Sequence, residues 1–131
     1  MKPKIIVVDD SPGERRLVTT VLTTAGYEVV EATNGPDGLV RIHEHPNARL
    51  VLCDLNMPDM TGLTMVSLLP AAIRGRHVFV MLTTEASPNL VKRAKELGVR
   101  GWIVKPFVPE ALLAAVARAV LEGERLQGSS V

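Results

Sequence analysis

Five short apolar runs punctuate the chain, at residues 5–8, 28–32, 50–53, 78–82 and 101–104. The first, third and fourth are unbroken stretches rich in Val, Ile and Leu, the pattern of strands buried on both faces of a parallel sheet. The second, EVVEA, sets acids among valines and reads as an edge strand. Between these runs the period changes. Leu17, Val18, Val21, Leu22 and Ala25 recur at helical spacing, after Ser11-Pro12 as N-cap and first helical residue and before Gly26 as a stop.

Four more helices follow in the same way. Residues 36–45 form the second, with Leu39 and Ile42 inward and Pro46 ending it. Thr61 caps the third, which carries Leu63, Val66 and Leu69. Pro70 lacks an N–H and clashes with the preceding turn, so that helix should end or kink near Leu69. Ser87-Pro88 opens the fourth, with Leu90, Val91, Ala94 and Leu97 before Gly98. Pro109 opens the fifth, expected to run to about residue 122. A single domain is therefore predicted over 1–122, with 123–131 as a C-terminal tail that should fray. Strands alternating with helices at this spacing predict an α/β fold with a parallel sheet and right-handed crossovers.

Composition narrows the function. The chain has 131 residues, enough for one core-forming domain, and a net charge of +1, which recommends neither nucleic acid nor an anionic membrane as partner. One cysteine, Cys53, excludes an internal disulfide and suits a reducing compartment. Cys53 itself reads as core. The run ALLAAVARAVL is too short to span a membrane, and no secretory leader is read, so a cytoplasmic protein is expected. His43 and His45 stand two apart on a helix and do not face each other. His77, just before the fourth strand, is expected to face solvent. Lys92, Arg93 and Lys95 read as the wet face of the fourth helix, with a docking surface as the competing reading.

The chemistry gathers at the strand ends. The first strand ends in Asp9-Asp10, the third in Asp54, the fourth in Thr83 and the fifth in Lys105. In open α/β sheets, ligands bind outside the carboxyl ends of the strands, where strand order reverses. Crowded carboxylates repel, so either a pKa rises or a cation binds. Oxygen ligands with room for water and phosphate suit Mg²⁺. Asp54 is then a nucleophile for a phosphoryl group, with Lys105 neutralising charge and Thr83 donating a hydrogen bond.

These motifs, VVDDS at 7–11, DLNMPDMTG at 54–62, LTTEA at 82–86 and WIVKPF at 102–107, occur in order and each at a strand end. The sequence resembles the receiver domain of bacterial two-component response regulators, in particular stand-alone receivers of the CheY type. The resemblance covers residues 4 to about 122. It implies a flavodoxin-like, doubly wound, five-stranded parallel sheet in the order 2-1-3-4-5 with five helices.

It also implies roles. Asp54 would accept phosphate from a histidine kinase. Mg²⁺ (or Mn²⁺) would be bound by Asp10 directly, by Asp9 partly through water, by Asp54 and by the Asn56 carbonyl. Lys105 would pair with the phosphoryl group and precede a cis Pro106. Thr83 would be the switch hydroxyl and Trp102 the aromatic that follows it, while Asn56 and Glu85 would tune dephosphorylation. Such a protein is not an enzyme, although it assists its own phosphorylation and dephosphorylation. Its output would be protein binding through the fourth helix, fifth strand and fifth helix, with chemotaxis one possible pathway.

Two positions depart from the family pattern. Thr84 stands where a small residue is usual, and Trp102 where Phe or Tyr is usual, so access and switching are the properties they put in question. The alternatives are a metal-dependent phosphatase or phosphotransferase of related topology and an intermediate phosphorelay carrier. Such phosphatases carry a second acid two residues after the nucleophile, where this chain has Asn56.

Overall fold

The computed structural model describes residues 2–128. Its elements run β1 (Lys4–Val8), α1 (Pro12–Thr24), β2 (Glu28–Ala32), α2 (Gly35–Glu44), β3 (Leu50–Asp54), α3 (Gly62–Ser67), α4 (Ala71–Arg74), β4 (Val78–Thr83), α5 (Pro88–Glu96), β5 (Gly101–Val104) and α6 (Pro109–Leu126). All strand pairs are parallel, in the order β2-β1-β3-β4-β5. The fold is the flavodoxin-like one expected, with β2 at an edge.

Alternation along the buried strands divides the core in two. Ile6, Val8, Val51, Cys53, Phe79 and Met81 point to one face, where Ile42, Met65, Val66 and Ala94 from the helices cover them. Ile5, Val7, Leu50, Leu52, Val80 and Leu82 point to the other, against Val18 and Leu22 of α1 and Leu112, Val116 and Val120 of α6. Each helix thus presents one apolar stripe to the sheet, and the two layers hold the strand tips in fixed register.

Ser11, Thr61 and Ser87 cap their helices as read, each accepting from a backbone N–H three residues on. Gly26 and Gly98 follow helix ends with φ of 101° and 88°, which residues with a Cβ rarely adopt. The third crossover breaks where Pro70 requires it. α3 stops at Ser67, and Pro70 becomes the N-cap of a separate single turn, α4, so there are six helices rather than five.

Two expectations are corrected. The last helix does not end near residue 122 but continues to Leu126, so 123–126 are helical rather than frayed. Gly123 is buried against the Arg49 backbone, and Gln127 donates to the carbonyls of Pro46, Ala48 and Arg76 while accepting from Arg49. Residues 129–131 of the expected tail lie outside the described residues. His77 does not face solvent; it is 2% exposed, and its Nδ1–H donates to the Ala48 carbonyl at 2.7 Å. Its ring sits edge-on to Phe79, and burial holds its pKa below the ordinary imidazole value.

Candidate functional site

Register builds the site. Val8 pairs with Cys53 across β1 and β3, so Asp9 and Asp54 emerge side by side where the strand order reverses. Asp54 pairs with Leu82 and Thr83 with Val104, which brings Lys105 to the same edge, its N–H donating to the Thr83 carbonyl at 2.7 Å. The Lys105–Pro106 bond is cis. α3 begins directly against the site: a Cβ on Gly62 would lie 2.7 Å from the Asp54 carbonyl oxygen.

Asp9, Asp10 and Asp54 each offer an oxygen within 4.8 Å of the others, the only such cluster of three His, Cys, Asp or Glu among the described residues. That spacing is of the order of the roughly 4 Å between opposite oxygen ligands of Mg²⁺, so these acids fit such an ion. The donors are all oxygens, as a hard cation requires. Asn56 follows two residues after Asp54, and its N–H donates to Asp54 Oδ1 at 3.3 Å.

The electrostatics are those of a crowded acidic pocket. Burial pushes the Asp9 pKa up to about 6, reinforced by Asp54 and Glu14 and opposed by the Ser11 N–H and Lys105. Burial also raises that of Asp54, against the pull of Lys105 and the Asn56 N–H. Lys105 reaches Asp54 Oδ2 at 3.5 Å and Asp9 Oδ2 at 4.0 Å. Burial alone would lower its pKa, but the Glu14 hydrogen bond and the Asp54 and Asp9 charges hold it above the usual lysine value. Cys53 is core, as read, with its thiol pKa pushed upward by burial and its S–H donating to the Asp54 carbonyl.

Above the carboxylates lies an open cleft of about 310 Å³, lined by Asp10, Glu14, Asp54, Asn56, Thr84 and Lys105. Thr83 does not line it. Its side chain is fully buried, and its hydroxyl accepts the Glu85 N–H at 3.1 Å. Asn56 Nδ2 donates to Glu85 Oε1 at 2.8 Å, closing a bridge between the loops after β3 and β4. Trp102 stands apart from the cleft, half-buried on β5, and its indole N–H donates to the Glu85 carbonyl.

One site residue escaped the sequence reading. Glu14 Oε1 lies 2.5 Å from Lys105 Nζ, the shortest ion pair of that ammonium. The available signal was the Ser11-to-Glu14 spacing of a capping box, which points to a helix start rather than to a site.

Comparison with known proteins decides the family. The response regulator receiver domain pattern matches residues 5–117. The chain belongs to the response regulator receiver family. As a receiver it is a module of two-component signalling, and it is similar to chemotaxis protein CheY1 of Helicobacter pylori strain J99, with 37% identity over 83% of this chain and 90% of that protein. It is 33% identical to the CheY of Pseudomonas aeruginosa PAO1 over 95% and 99% of the two chains. Among solved structures, Vibrio cholerae CheY4 superimposes with a TM-score of 0.85 at 37% identity, covering 91% of this receiver and 99% of that chain. A Borrelia burgdorferi CheY, solved with CheX, BeF₃ and Mg²⁺, gives 0.82 at 26% identity, covering 88% and 87%. These relatives lend no support to the phosphatase alternative. No helix among the described residues is long and apolar enough to cross a membrane.

Proposed function

We propose that this receiver takes a phosphoryl group from a histidine kinase onto Asp54 and signals through phosphorylation-controlled protein binding. The observation that carries the reading is the convergence of the Asp9, Asp10 and Asp54 oxygens within 4.8 Å, with Lys105 Nζ 3.5 Å from Asp54 Oδ2.

An Asp54 oxygen attacks phosphorus in line as the phosphorus–nitrogen bond of the donor phosphohistidine breaks and its imidazole leaves with the electron pair. Lys105 pairs with the transferred oxygens. Asp10, Asp9, Asp54 and the Asn56 carbonyl would hold Mg²⁺ (or Mn²⁺), which would supply positive charge to offset that on the phosphoryl oxygens. Asn56, which lines the cleft, and Glu85, to which it is hydrogen-bonded, tune hydrolysis. The same receiver thereby assists both gain and loss of its phosphate.

Thr83 is the switch hydroxyl. Leaving the Glu85 N–H for a phosphoryl oxygen would loosen the loop that also holds Trp102, a bistable arrangement that phosphate biases. The output face is α5, β5 and α6. Between β5 and α6 runs an open groove of about 370 Å³ lined by Trp102, Ile103 and Ala119 together with Arg100, Arg118 and Glu122, and Lys92 and Lys95 are exposed on α5. A cytoplasmic site and a chemotaxis pathway are the setting, supported by relatives named as chemotaxis proteins.

The test is phosphotransfer from a labelled, phosphorylated histidine kinase to the wild-type chain and to Asp54→Asn. Label should pass to the first and not to the second. Transfer that persists in the variant overturns the assignment.

A further inference from the structure

We propose that Glu14 is a positioning residue that competes with the incoming phosphoryl group for Lys105 and so slows phosphorylation by small anionic donors. This rests on the reading of Asp54 as phosphoacceptor. Lys105 has one close partner: Glu14 at 2.5 Å, against 3.5 Å to Asp54 and 4.0 Å to Asp9. The Lys105 side chain is only 13% exposed, and its ammonium donates to Glu14 Oε1.

The local geometry shows why Glu14 is free to do this. In a capping box, Glu14 would reach back to the Ser11 N–H. Here that N–H donates to Asp9 Oδ1 at 2.9 Å, so the Glu14 carboxylate has no capping duty. Its backbone N–H is fixed by Ser11 Oγ at 3.4 Å, which anchors it in the first turn of α1. The adjacent cation, Arg15, is turned away to Glu31 and to the Asp9 carbonyl. Glu14 therefore crosses to Lys105, and its half-exposed carboxylate lines the cleft mouth as a fourth acid.

With acetyl phosphate as donor, an Asp54 oxygen bonds to phosphorus while the donor's phosphorus–oxygen bond breaks and acetate leaves with its electron pair. Lys105 must turn from Glu14 to the phosphoryl oxygens during this step. Glu14 delays that turn and repels the dianionic donor as well; only the first effect acts through Lys105.

The experiment measures phosphorylation rates of the full chain with Mg²⁺ and acetyl phosphate by intact-protein mass, for wild type, Glu14→Gln and Glu14→Met. Either substitution should raise the apparent second-order rate constant about three- to tenfold, with the gain shrinking as salt screens the half-exposed charge. Thermal melting checks that both variants fold. In a Lys105→Met background, Glu14→Gln should give less than half of that gain. Rates equal to or below wild type overturn the proposal, as does a gain undiminished without Lys105. A wild-type chain that takes no phosphate, or Asp54→Asn that takes as much, defeats the acceptor assignment instead.

Discussion

The indole N–H of Trp102 donates to the backbone carbonyl of Glu85 across 2.8 Å, while the Glu85 carboxylate accepts from Asn56 at the same distance. One loop residue thus joins a half-buried aromatic on an edge strand to the residue two after Asp54. In the proposed switch, a movement beside Asp54 would reach Trp102 through these two hydrogen bonds.

Trp102 is the sole tryptophan, so its emission reports on that loop alone. Addition of Mg²⁺ and acetyl phosphate should change its fluorescence intensity in the wild type and leave the Asp54→Asn signal at the level set by Mg²⁺ alone. An unchanged wild-type spectrum, with phosphorylation verified by mass, would disconnect Trp102 from the site.

Asp9 should destabilise the metal-free protein. Its folded pKa, about 6, lies above the ordinary 3.8, so between these values the folded state keeps a proton that the unfolded state has lost. Stability from this group is present at low pH and is lost as pH rises through 6. Asp9→Asn should therefore be more stable than wild type by about 1–3 kcal/mol above pH 7, and the advantage should vanish toward pH 4. Urea denaturation without metal at several pH values measures this difference.

Metal binding should follow the same group with the opposite consequence. A cation requires the carboxylates ionised, so Mg²⁺ affinity should fall about tenfold per pH unit below 6, and chelation should abolish phosphorylation by acetyl phosphate. Calorimetric titration with Mg²⁺ between pH 5 and 8, a range of about three units around the Asp9 value, reads the slope. A flat profile would exclude Asp9 from the binding set.

Two glycines should respond oppositely to alanine. A Cβ at Gly123 would fall on the Arg49 carbonyl, and Gly123→Ala should cost about 1–3 kcal/mol through a forced shift of α6. At Gly13, in the first turn of α1, nothing lies within 4 Å, and Gly13→Ala should stabilise by about 0.4–1 kcal/mol. Thermal melting of both variants gives the comparison.

Much of this receiver was legible along the chain because its signals are local. Continuous Val, Ile and Leu marked strands covered on both faces, and Ser11, Thr61 and Ser87 marked helix starts through a side-chain oxygen near free N–H groups. Pro70 announced the break between α3 and α4 for the same kind of reason. Asp9, Asp54 and Lys105 could be brought together from one rule of parallel sheets, that strand ends on one edge adjoin, whereas Thr83 proved to be buried beside the cleft rather than in it.

What escaped depends on partners distant in sequence. Gly123 reads as a helix stop, yet it is where α6 passes close to the Arg49 backbone, and Gln127 then closes the helix end on three carbonyls. His77 reads as a polar lead-in to a strand, yet it is buried, with its Nδ1–H donating to the Ala48 carbonyl 29 residues away.

Sequence alone settled the alternation of strands and helices apart from α4, the sheet's parallel sense and the acids at its strand ends, because periodicity, caps and strand-end chemistry are written within a few residues. Tertiary structure decided which charges meet. Glu14 and Lys105 lie 91 residues apart, and only the packing of α1 beside the loop after β5 turns a helix-start acid into the nearest counter-ion of the site's one ammonium. Ion pairs depend on separation in space, which no local pattern encodes.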